Sequence, residues 1–295
     1  MPVNATENYL LQFLETKFTS PVSSCEIRPV AGGSINDTNK VIINGTDHFF
    51  LKSNVISKFP GLFAKEKSGL DFLRSQNIIA IPEIIGCEQT GNNQFLLLEW
   101  IEQGNKTNRF WKTFGEQLAR LHKVSSSNFG LFEDNFMGAL LQVNTYADNW
   151  IDFFIQQRLQ PQVKMAMDKN LLTRKTIASF DFLYNKLDVI FNTEKPSLLH
   201  GDLWNGNLLC DKNENPVLID PAVYFGHRSM DLAMTTLFGG FDKLFYESYH
   251  YHWPLPDNYK QQWEICNLYP LLVHLNLFGI SYLQDIELIL TKFSG

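Results

Sequence analysis

The stretch "LLHGDLWNGNLL", residues Leu198 to Leu209, decides how this chain is interpreted. Apolar residues flank a polar centre in which Asp202 is followed five positions later by Asn207, so the pattern is D-x-x-x-x-N. The next carboxylate in an equally apolar setting is Asp220, at the end of "PVLID". Two short strand-like runs, "NLLC" and "PVLI", lie between them and are joined by the turn "DKNEN". A hairpin of that length returns Asp220 close to Asn207, since both lie at its open end.

An acid on a loop beside an Asn/Asp pair is the arrangement that phosphoryl transfer from ATP uses. In that chemistry Asp202 orients the attacking hydroxyl and accepts its proton. Asn207 and Asp220 would hold Mg²⁺ against the phosphates, because magnesium prefers hard oxygen ligands and needs only one or two from the protein. The alternative is that Asp202 and Asn207 are ordinary cap and turn residues. The hairpin and "IDP" that follow them favour the catalytic interpretation.

A lysine and a glutamate in the first hundred residues provide independent support. Lys52 lies near the end of the strand-like run "HFFLKS", where a lysine can reach the α- and β-phosphates of a nucleotide. Phe63, Leu70 and Leu73 form the apolar stripe of the following helical segment, and Glu66 falls on the same stripe. A carboxylate that faces inward is costly unless it is paired, so Lys52 is its expected partner. A solvated edge position for Lys52 and an outward tilt of Glu66 remain the alternatives.

Two further stretches predict contacts to a nucleotide. In "AGGSIND" (Ala31–Asp37) the glycines would let backbone N–H groups approach phosphate oxygens, although Gly-Gly-Ser is also an ordinary hairpin loop. "LLLEWIE" ends a strand where backbone groups could pair with an adenine edge. The residues predicted to bind ATP are Gly32, Gly33, Ser34, Asn36, Lys52, Glu66, Glu99, Trp100 and Ile101.

Composition narrows the class of protein. The 295 residues are 44% hydrophobic and 14% aromatic, enough for a sizeable core and against disorder. A net charge of −6 and a pI near 5.7 argue against nucleic acid or an anionic membrane as the main partner, and no obligate protein partner is evident. The four cysteines form no CxxC pair, which excludes a zinc ribbon and indicates no disulfide framework. Without a secretory leader pattern or a long apolar run, a cytoplasmic location is expected.

Hydrophobic periodicity predicts an α+β chain with two lobes. Residues 1–102 are expected to form a nucleotide-binding lobe, a small antiparallel sheet with one main helix over "LFAKEKSGLDFLRSQN" and a short helix over Asn8–Phe18. Asn44-Gly45 predicts a tight hairpin turn in that sheet. Residues 103–295 are expected to form a larger, mostly helical catalytic and substrate-binding lobe. Pro270 is predicted to begin a final helix that runs towards Phe293.

Beyond these patterns, the sequence resembles the fructosamine kinase (ketosamine-3-kinase) family, within the aminoglycoside phosphotransferase-like branch of the protein-kinase fold. The resemblance rests on "HGDLWNGN", "LIDPAVYFGHRSMDLAM" and "LLVHLNLFGISY", and on shorter matches such as "GGSIND", "EKSGLDFL", "FLLLEW" and "DNFMG" along nearly the whole chain. Generic phosphotransferases share the HGD…N…D core. Trp204, the run "DPA-x-YFG" and the late "HLNLFG" are the features that point to this family in particular.

The resemblance implies a kinase-like fold and ATP-dependent phosphorylation of the 3-hydroxyl of a ketosamine. The substrate would be a ribulosamine or fructosamine, free or protein-linked, and the phosphate makes the sugar prone to β-elimination, which frees the amine. On this interpretation Asp202 is the catalytic base, Asn207 and Asp220 hold Mg²⁺, and Lys52 with Glu66 clamps ATP. Ser34 and Ser229 stand where some relatives carry a cysteine and an acid, so thiol-based redox control and a local salt bridge are not carried over.

The remaining predictions concern the residues that contact the substrate and the alternative functions of the chain. Trp204, Tyr224 and His274 are candidate substrate contacts, although Trp204 could equally stabilise its loop and His274 could be a core histidine. Arg158 and Arg228 are expected to form structural ion pairs, with a contact to the substrate as the alternative. A kinase of the same fold that phosphorylates an aminoglycoside, choline or a sugar is one rival, and a non-catalytic nucleotide-binding module is another.

Overall fold

The structure is a computed structural model and describes residues 12–16, 21–30 and 35–293. Residues 12–16 are helical, in agreement with the helix predicted over Asn8–Phe18 for the part that is described. A five-stranded antiparallel sheet follows, in the order β1-β2-β3-β5-β4. Its strands are β1 (Cys25–Pro29), β2 (Asp37–Ile43), β3 (Asp47–Val55), β4 (Ile84–Thr90) and β5 (Asn93–Glu99).

The turn between β2 and β3 is the one that the sequence predicts. Asn44 and Gly45 have φ angles of 52° and 75°. Two successive residues in this left-handed region match the right-handed twist of the strands they join, and Asn-Gly is the pair that adopts it most readily. The register places Lys52 of the central strand β3 opposite Leu96 of β5, so the lysine lies in the middle of the sheet.

One helix, α1 (Leu62–Ser75), connects β3 to β4 and packs on the sheet. Its apolar stripe and the neighbouring face of β5 form one cluster, which consists of Leu62, Phe63, Leu70, Leu96 and Leu98. This packing turns the same face of α1 towards β3, and Glu66 comes with it. The predicted inward position of Glu66 is therefore confirmed.

The remainder of the described chain is mostly helical, as predicted. Its helices are α2 (Asn108–His122), α3 (Trp150–Phe153), α4 (Gln160–Asp168), α5 (Arg174–Tyr184), α6 (Leu187–Ile190), α7 (Ser229–Met234), α8 (Lys243–His252), α9 (Tyr259–Phe278) and α10 (Leu283–Phe293). Six short strands pair two by two: β6 (Asn135–Met137) with β7 (Leu140–Gln142), β8 (Ser197–Leu199) with β11 (Tyr224–Gly226), and β9 (Leu208–Cys210) with β10 (Pro216–Leu218). The β9–β10 hairpin predicted from "NLLC" and "PVLI" is confirmed.

Helix α9 corrects the prediction made for Pro270. The helix runs for 20 residues with Pro270 in its interior, and it ends at Gly279, whose φ is 96°. Every residue from Ile265 to Val273 is buried, so this is the central helix of the larger lobe. Packing on all sides stabilises the helix enough to tolerate the loss of the main-chain hydrogen bond that Pro270 cannot donate. A 3₁₀ turn over Ile280–Tyr282 then separates α9 from α10.

A π-helical turn over Phe154–Leu159 joins α3 to α4 and brings Arg158 into the core. The guanidinium is fully buried, and it donates to the carbonyl oxygen of Val143 and to Oδ1 of Asn144, both at 2.6 Å. Among the described residues no carboxylate lies within ion-pair distance of Arg158, so the ion pair predicted for it is wrong. Carbonyl and amide oxygens stabilise this cation instead, together with the ring of Tyr224 at 4.0 Å. The ion pair predicted for Arg228 is present, with Glu194 at 2.9 Å.

Main-chain hydrogen bonds tie the β9–β10 hairpin to the segment that follows β5 and to the segment that precedes β4. Gly104 donates to the carbonyl oxygen of Cys210 at 2.9 Å, and Leu218 donates to that of Ala80 at 3.0 Å. The boundary between the two predicted lobes, at residues 102 and 103, stays a prediction. Among the described residues, no helix combines the length and the apolar character that crossing a membrane requires.

Candidate active site

A cavity of about 570 Å³ lies between the sheet and the helical lobe. Its walls include side chains from β3, β5 and α1 on one side and from the loops around β9, β10 and α9 on the other. Most residues predicted to be functional line it, and the list is Asn36, Lys52, Glu66, Glu99, Trp100, Ile101, Asp202, Trp204, Asn207, Asp220 and His274. The predicted residues Gly32, Gly33 and Ser34 lie outside the described residues.

The loop that carries Asp202 begins where β8 ends. Buried Leu199 and Leu203 anchor it on either side of the polar centre. Gly201 has a φ of 84°, and a Cβ at this position would come within 2.0 Å of the carbonyl oxygen of Ala222. Only glycine allows both the left-handed backbone and this close approach, which explains why the residue before Asp202 has no side chain.

Asn207 holds Asp202 directly. Its Nδ2 donates to the main-chain oxygen of Asp202 at 2.8 Å and to Oδ2 of the same residue at 3.0 Å. The main-chain oxygen of Asn207 in turn accepts from the N–H of Ile219 at 3.1 Å, so the two ends of the β9–β10 hairpin meet as predicted. Asp220 follows immediately and faces the same cavity. The three oxygen-bearing side chains are therefore brought together by one loop and one hairpin.

Asp220 has an unusual backbone, with a φ of 56°. Left-handed conformations are uncommon outside glycine, although Asp and Asn tolerate them better than other residues do. Such positions tend to cluster at active sites, where the surrounding structure holds them in place. Here the conformation turns the Asp220 carboxylate towards the sheet, where it contacts Nζ of Lys52.

Lys52 is the centre of a buried charge cluster. Its side chain is 3% exposed, and its Nζ donates to Oε1 of Glu66 at 2.7 Å and to Oδ1 of Asp220. Burial by itself would lower the pKa of Lys52, but the Asp220 and Glu66 carboxylates outweigh it and raise that pKa above its ordinary value. The lysine therefore stays charged, and the predicted pair with Glu66 is confirmed.

Glu66 and Asp202 have pKa values above their ordinary range. Burial and the Asp220 carboxylate raise the pKa of Glu66 to about 7, and Lys52 opposes that shift. Burial, followed by repulsion from Asp220, raises the pKa of Asp202 to about 7, whereas the hydrogen bond from Asn207 lowers it. A carboxyl group whose pKa lies near neutrality, in a cleft, has the property expected of a general base.

The donor set at Asn207 and Asp220 fits a magnesium ion. Because Nδ2 of Asn207 is engaged with Asp202, its Oδ1 is the amide atom left for a cation, and no described residue donates to it. Asp220 adds a carboxylate on the same wall. Hard oxygen donors of this kind, few in number, suit Mg²⁺ bound together with phosphates.

At the opposite end of the cavity, the strand that ends at Glu99 passes into the helical lobe. The N–H of Glu99 donates to the carbonyl oxygen of Glu83 at 2.8 Å, and Oε2 of Glu99 accepts from the N–H of Glu83 at 3.1 Å. No other described residue forms a hydrogen bond to the N–H of Ile101. The N–H of Ile101 is therefore one main-chain donor that is left for a ligand at this end of the cavity.

Two of the three residues predicted to contact a substrate face the cavity. Trp204 is half-buried, and its ring is edge-on to Phe238 at a centroid distance of 5.8 Å. His274 is half-buried, and its Nδ1 donates to the carbonyl oxygen of Pro270 at 2.7 Å. Tyr224 lies in the core instead, 1% exposed and stacked on Phe153 at 5.7 Å. Its assignment as a substrate contact is corrected, because its ring packs in the core against Phe153 and the guanidinium group of Arg158 and does not line the cavity.

A family comparison adds to this geometry. A sequence model of the fructosamine kinase family matches residues 7–294. The chain belongs to the fructosamine kinase family. The resemblance stated from the motifs around Asp202 and Asp220 is thereby confirmed.

Relatives and solved structures agree with the family. The "Probable ketoamine kinase" of Enterococcus faecium is 36% identical over 274 residues, which cover 91% of this chain and 95% of that protein. The chloroplastic protein-ribulosamine 3-kinase of Arabidopsis thaliana is 34% identical over 88% of this chain and 79% of its own length. A crystal structure from Haemophilus somnus, provisionally described as a fructosamine-3-kinase, superposes with a TM-score of 0.86 at 25% identity, over 97% of both chains.

More distant neighbours share the fold alone. The amicoumacin kinase hAmiN, solved in complex with AMP-PNP, Ca²⁺ and Ami, has a TM-score of 0.55 at 12% identity, over 97% of this chain and 91% of that one. The predicted α+β, two-lobed, kinase-like fold of this fructosamine kinase family member is therefore confirmed.

Asp231 of this fructosamine kinase family member was not singled out from the sequence, yet it supports the whole catalytic loop. Its carboxylate is 1% exposed and accepts from the N–H groups of His200 at 2.7 Å and Gly201 at 2.9 Å. It also accepts from Nε2 of His122 at 3.2 Å. A carboxylate in the apolar run "SMDLAM" must find partners when it is buried, and that requirement is the sequence feature that could have identified it.

A buried amide network around the β6–β7 hairpin was likewise not predicted from the sequence. Nδ2 of Asn135 donates to the carbonyl oxygen of Val223 at 2.7 Å, and Nε2 of Gln142 donates to that of Ala222 at 3.0 Å. The hairpin lines the cavity and is tied in this way to the segment that follows Asp220. Only the tertiary structure shows this connection, since the two segments are about 80 residues apart in sequence.

Proposed function

We propose that this chain transfers the γ-phosphoryl group of ATP to the 3-hydroxyl of a ketosamine, a ribulosamine or a fructosamine, and so promotes the release of the amine. The observation that carries the proposal is the convergence of Asp202, Asn207, Asp220 and Lys52 on one cavity, in a member of the fructosamine kinase family. Phosphoryl transfer depends on positioning and electrostatic stabilisation, and these four groups supply both.

Asp202 acts as the base. Asn207 fixes its carboxylate by a hydrogen bond to Oδ2, which leaves Oδ1 to orient the sugar hydroxyl and to accept its proton. The raised pKa of Asp202 makes it a stronger proton acceptor than an exposed aspartate. Asp231 keeps the loop in place by accepting two of its N–H groups.

Lys52 and the residues at the cavity ends bind the nucleotide. Glu66 holds the Lys52 ammonium group where it reaches the α- and β-phosphates. The main chain between Glu99 and Ile101 offers hydrogen-bonding groups to an adenine edge, with Trp100 beside it and Asn36 on the cavity wall. Oδ1 of Asn207 and the Asp220 carboxylate would hold Mg²⁺. When bound, the ion neutralises charge on the phosphates and aligns them with the attacking oxygen.

On the substrate side, Trp204 and His274 flank the position that a sugar would occupy next to Asp202. His274 donates through Nδ1, so its neutral ring presents the Nε2 lone pair as an acceptor. The burial of His274 lowers its pKa and favours this neutral form. A sugar hydroxyl or the ammonium group of a ketosamine can donate to it.

A substrate panel tests the proposal. Ribulosamines, fructosamines, an aminoglycoside, choline and free ribose are incubated with Mg²⁺ and ATP, and the position of the phosphate is read by NMR. We expect phosphate on O3 of the ketosamines and none on the other compounds. Phosphate on choline or the aminoglycoside alone would assign another acceptor. No phosphate on any compound, together with no ATP hydrolysis, would contradict a kinase and favour a non-catalytic nucleotide-binding module.

The variant Asp202→Asn tests the role of Asp202 as the base. The amide keeps the shape of the side chain but cannot accept the proton, so we expect turnover on a ketosamine to fall by about 10²- to 10⁴-fold. ATP binding, measured by calorimetry, should stay close to that of the unaltered protein. Wild-type turnover by Asp202→Asn would contradict the role given to this residue.

A further inference from the structure

Aromatic side chains extend the cavity on the side of α9. The ring of Phe238 lies 5.8 Å from Trp204 and 4.7 Å from His274, and His274 lies 5.5 Å from Phe278 and 5.1 Å from Tyr282. Trp204, His274 and Phe278 line the cavity itself. Phe238, Phe278 and Tyr282 are here called the aromatic shelf. The shelf is continuous with the predicted substrate contacts and has no part in the chemistry described above.

The shelf leaves apolar surface open next to the cavity. Phe238 is 40% exposed and Phe278 is 47% exposed. Large apolar side chains on a protein surface are ordinary when they are scattered, whereas a contiguous group at the mouth of a binding cavity indicates a contact site.

The backbone at Phe238 provides an independent observation. Its φ is 52°, and Gly239 and Gly240 follow at 102° and 69°. A bulky residue is a genuine outlier in this left-handed region, whereas glycine adopts it freely. Residues held in such conformations concentrate at functional sites. The loop therefore accepts an unfavourable backbone conformation and keeps an exposed ring beside Trp204.

The chemistry of the shelf defines what it can bind. Its three residues carry no charge, and flat aromatic faces take up aliphatic groups, aromatic rings and the carbon stems of cationic side chains. In a ketosamine whose O3 is at Asp202, the sugar fills the inner part of the cavity. The substituent on the amine nitrogen is the part that extends beyond the sugar.

On the basis of the proposed function, we propose that the aromatic shelf binds the substituent on the amine nitrogen of the ketosamine and selects apolar or aromatic substituents over small ones. The shelf is thus a specificity site separate from the group of residues that performs the transfer. Trp204 and His274 would contact the sugar and the nitrogen, and the shelf would contact what the nitrogen carries.

The test compares ribulosamines of methylamine, hexylamine and benzylamine. We expect kcat/KM of the wild-type protein to be about tenfold higher for the benzylamine compound than for the methylamine one, because a phenyl group is removed from water. Phe278→Ala and Phe238→Gly should each lower the benzyl-to-methyl ratio by about fivefold, with kcat/KM for the methylamine compound changed by less than about twofold and the KM for ATP unchanged. Phe238→Gly also relieves the backbone conformation, so loss of the fold would not explain its effect.

Tyr251→Ala is the matched control, since it removes an aromatic ring that is 82% exposed and does not line the cavity. Equal kcat/KM values for the three amines, or equal losses for all three in the shelf variants, would overturn the shelf as a specificity site while the kinase activity stands. A concentration-dependent dimer that Phe278→Ala abolishes, with no change in the benzyl-to-methyl ratio, would assign the shelf to a second copy of this chain. Failure of the wild-type protein to phosphorylate any ketosamine would overturn the proposed function, and this inference with it.

Discussion

At the scale of single residues, burial and charge account for most of the unusual properties of this chain. Lys52 is almost fully buried, and it stays charged because two carboxylates face it. Asp202 is half-buried and has no direct cationic partner among the described residues, so desolvation raises its pKa. Burial disfavours the charged form of both residues. Two carboxylates nevertheless keep Lys52 a cation, whereas Asp202, which lacks a direct cationic partner, becomes a poised base.

His227 shows the same effect away from the cavity and leads to a prediction about acid stability. It is 1% exposed, its Nδ1 accepts from the N–H of Ser229 at 3.2 Å, and its Nε2 lies 3.8 Å from Glu194. Trp150 and Phe191 pack against the ring. Burial lowers the pKa of His227 from 6.5 to about 4, although Glu194 opposes the shift.

The sign of the pH effect follows from proton uptake. Between pH 6.5 and about 4, the unfolded chain protonates this histidine and the folded one does not, so the free energy of unfolding falls as the pH is lowered through this window. At pH 5 the loss from this residue is about 2 kcal/mol relative to pH 7. His227→Asn keeps an acceptor for Ser229 and does not titrate. Urea unfolding should therefore show a smaller loss between pH 7 and pH 5 in the variant, and equal losses would rule out the contribution of His227.

At the scale of secondary-structure elements, close packing overrides local preference. Gly115 lies inside α2, where alanine is the better helix former by about 1 kcal/mol. A Cβ at this position would come within 2.5 Å of the carbonyl oxygen of Phe245 and 2.9 Å of the N–H nitrogen of Tyr249, both in α8. Backbone atoms cannot move aside as a flexible side chain can, so the two helices depend on the missing methyl group.

We predict that Gly115→Ala destabilises the protein by about 1–3 kcal/mol in spite of its helix propensity, because the inserted methyl group overpacks the helix contact. Chemical denaturation followed by circular dichroism measures the effect. Lys112→Ala, at an exposed position of the same helix, is the control and should change stability by less than about 0.5 kcal/mol. A stabilised Gly115→Ala variant would show that α2 and α8 can separate to admit the methyl group.

At the scale of the whole molecule, the contact between Lys52 and Asp220 joins the sheet to the β9–β10 hairpin across the cavity. A ligand that binds both sides should therefore stabilise the folded chain as a unit. Under the proposed function, ATP contacts the sheet side through Lys52, and Mg²⁺ links the phosphates to the hairpin side through Asp220. Stabilisation by the nucleotide should then depend on the metal.

The variant Asp220→Asn tests whether Asp220 is responsible for the Mg²⁺-dependent part of the stabilisation by ATP. For the wild-type protein we expect ATP with Mg²⁺ to raise the midpoint of thermal unfolding more than ATP with EDTA does. The variant should lose the increment that depends on Mg²⁺, because it lacks the carboxylate. Asp71→Asn, which alters an exposed acid paired with Lys67 on α1, should keep the increment. An unchanged increment in Asp220→Asn would remove Asp220 from the metal site.

Much of this architecture follows from sequence patterns of short range. The Asn44-Gly45 turn, the α1 helix with Glu66 on its inner face, and the β9–β10 hairpin that returns Asp220 to Asn207 were all predicted, and the structure contains each of them. These features are local, because a turn dipeptide, a helical period and a hairpin length each act over a few residues.

The tertiary structure alone decided the features that depend on burial by distant segments. Helix α9 continues through Pro270, and Tyr224 turns into the core instead of the cavity. Arg158 is buried among aromatic rings and pairs with no carboxylate in the part of the chain that the structure describes. Asp231 and the amides of the β6–β7 hairpin form hydrogen bonds with main-chain groups that are distant in sequence, so their roles appear only in the folded chain. Local chemistry thus determined which residue types could act and where the chain turns. Long-range packing determined which of them share a cavity, because the free energy of burial depends on every neighbour that the fold brings within contact.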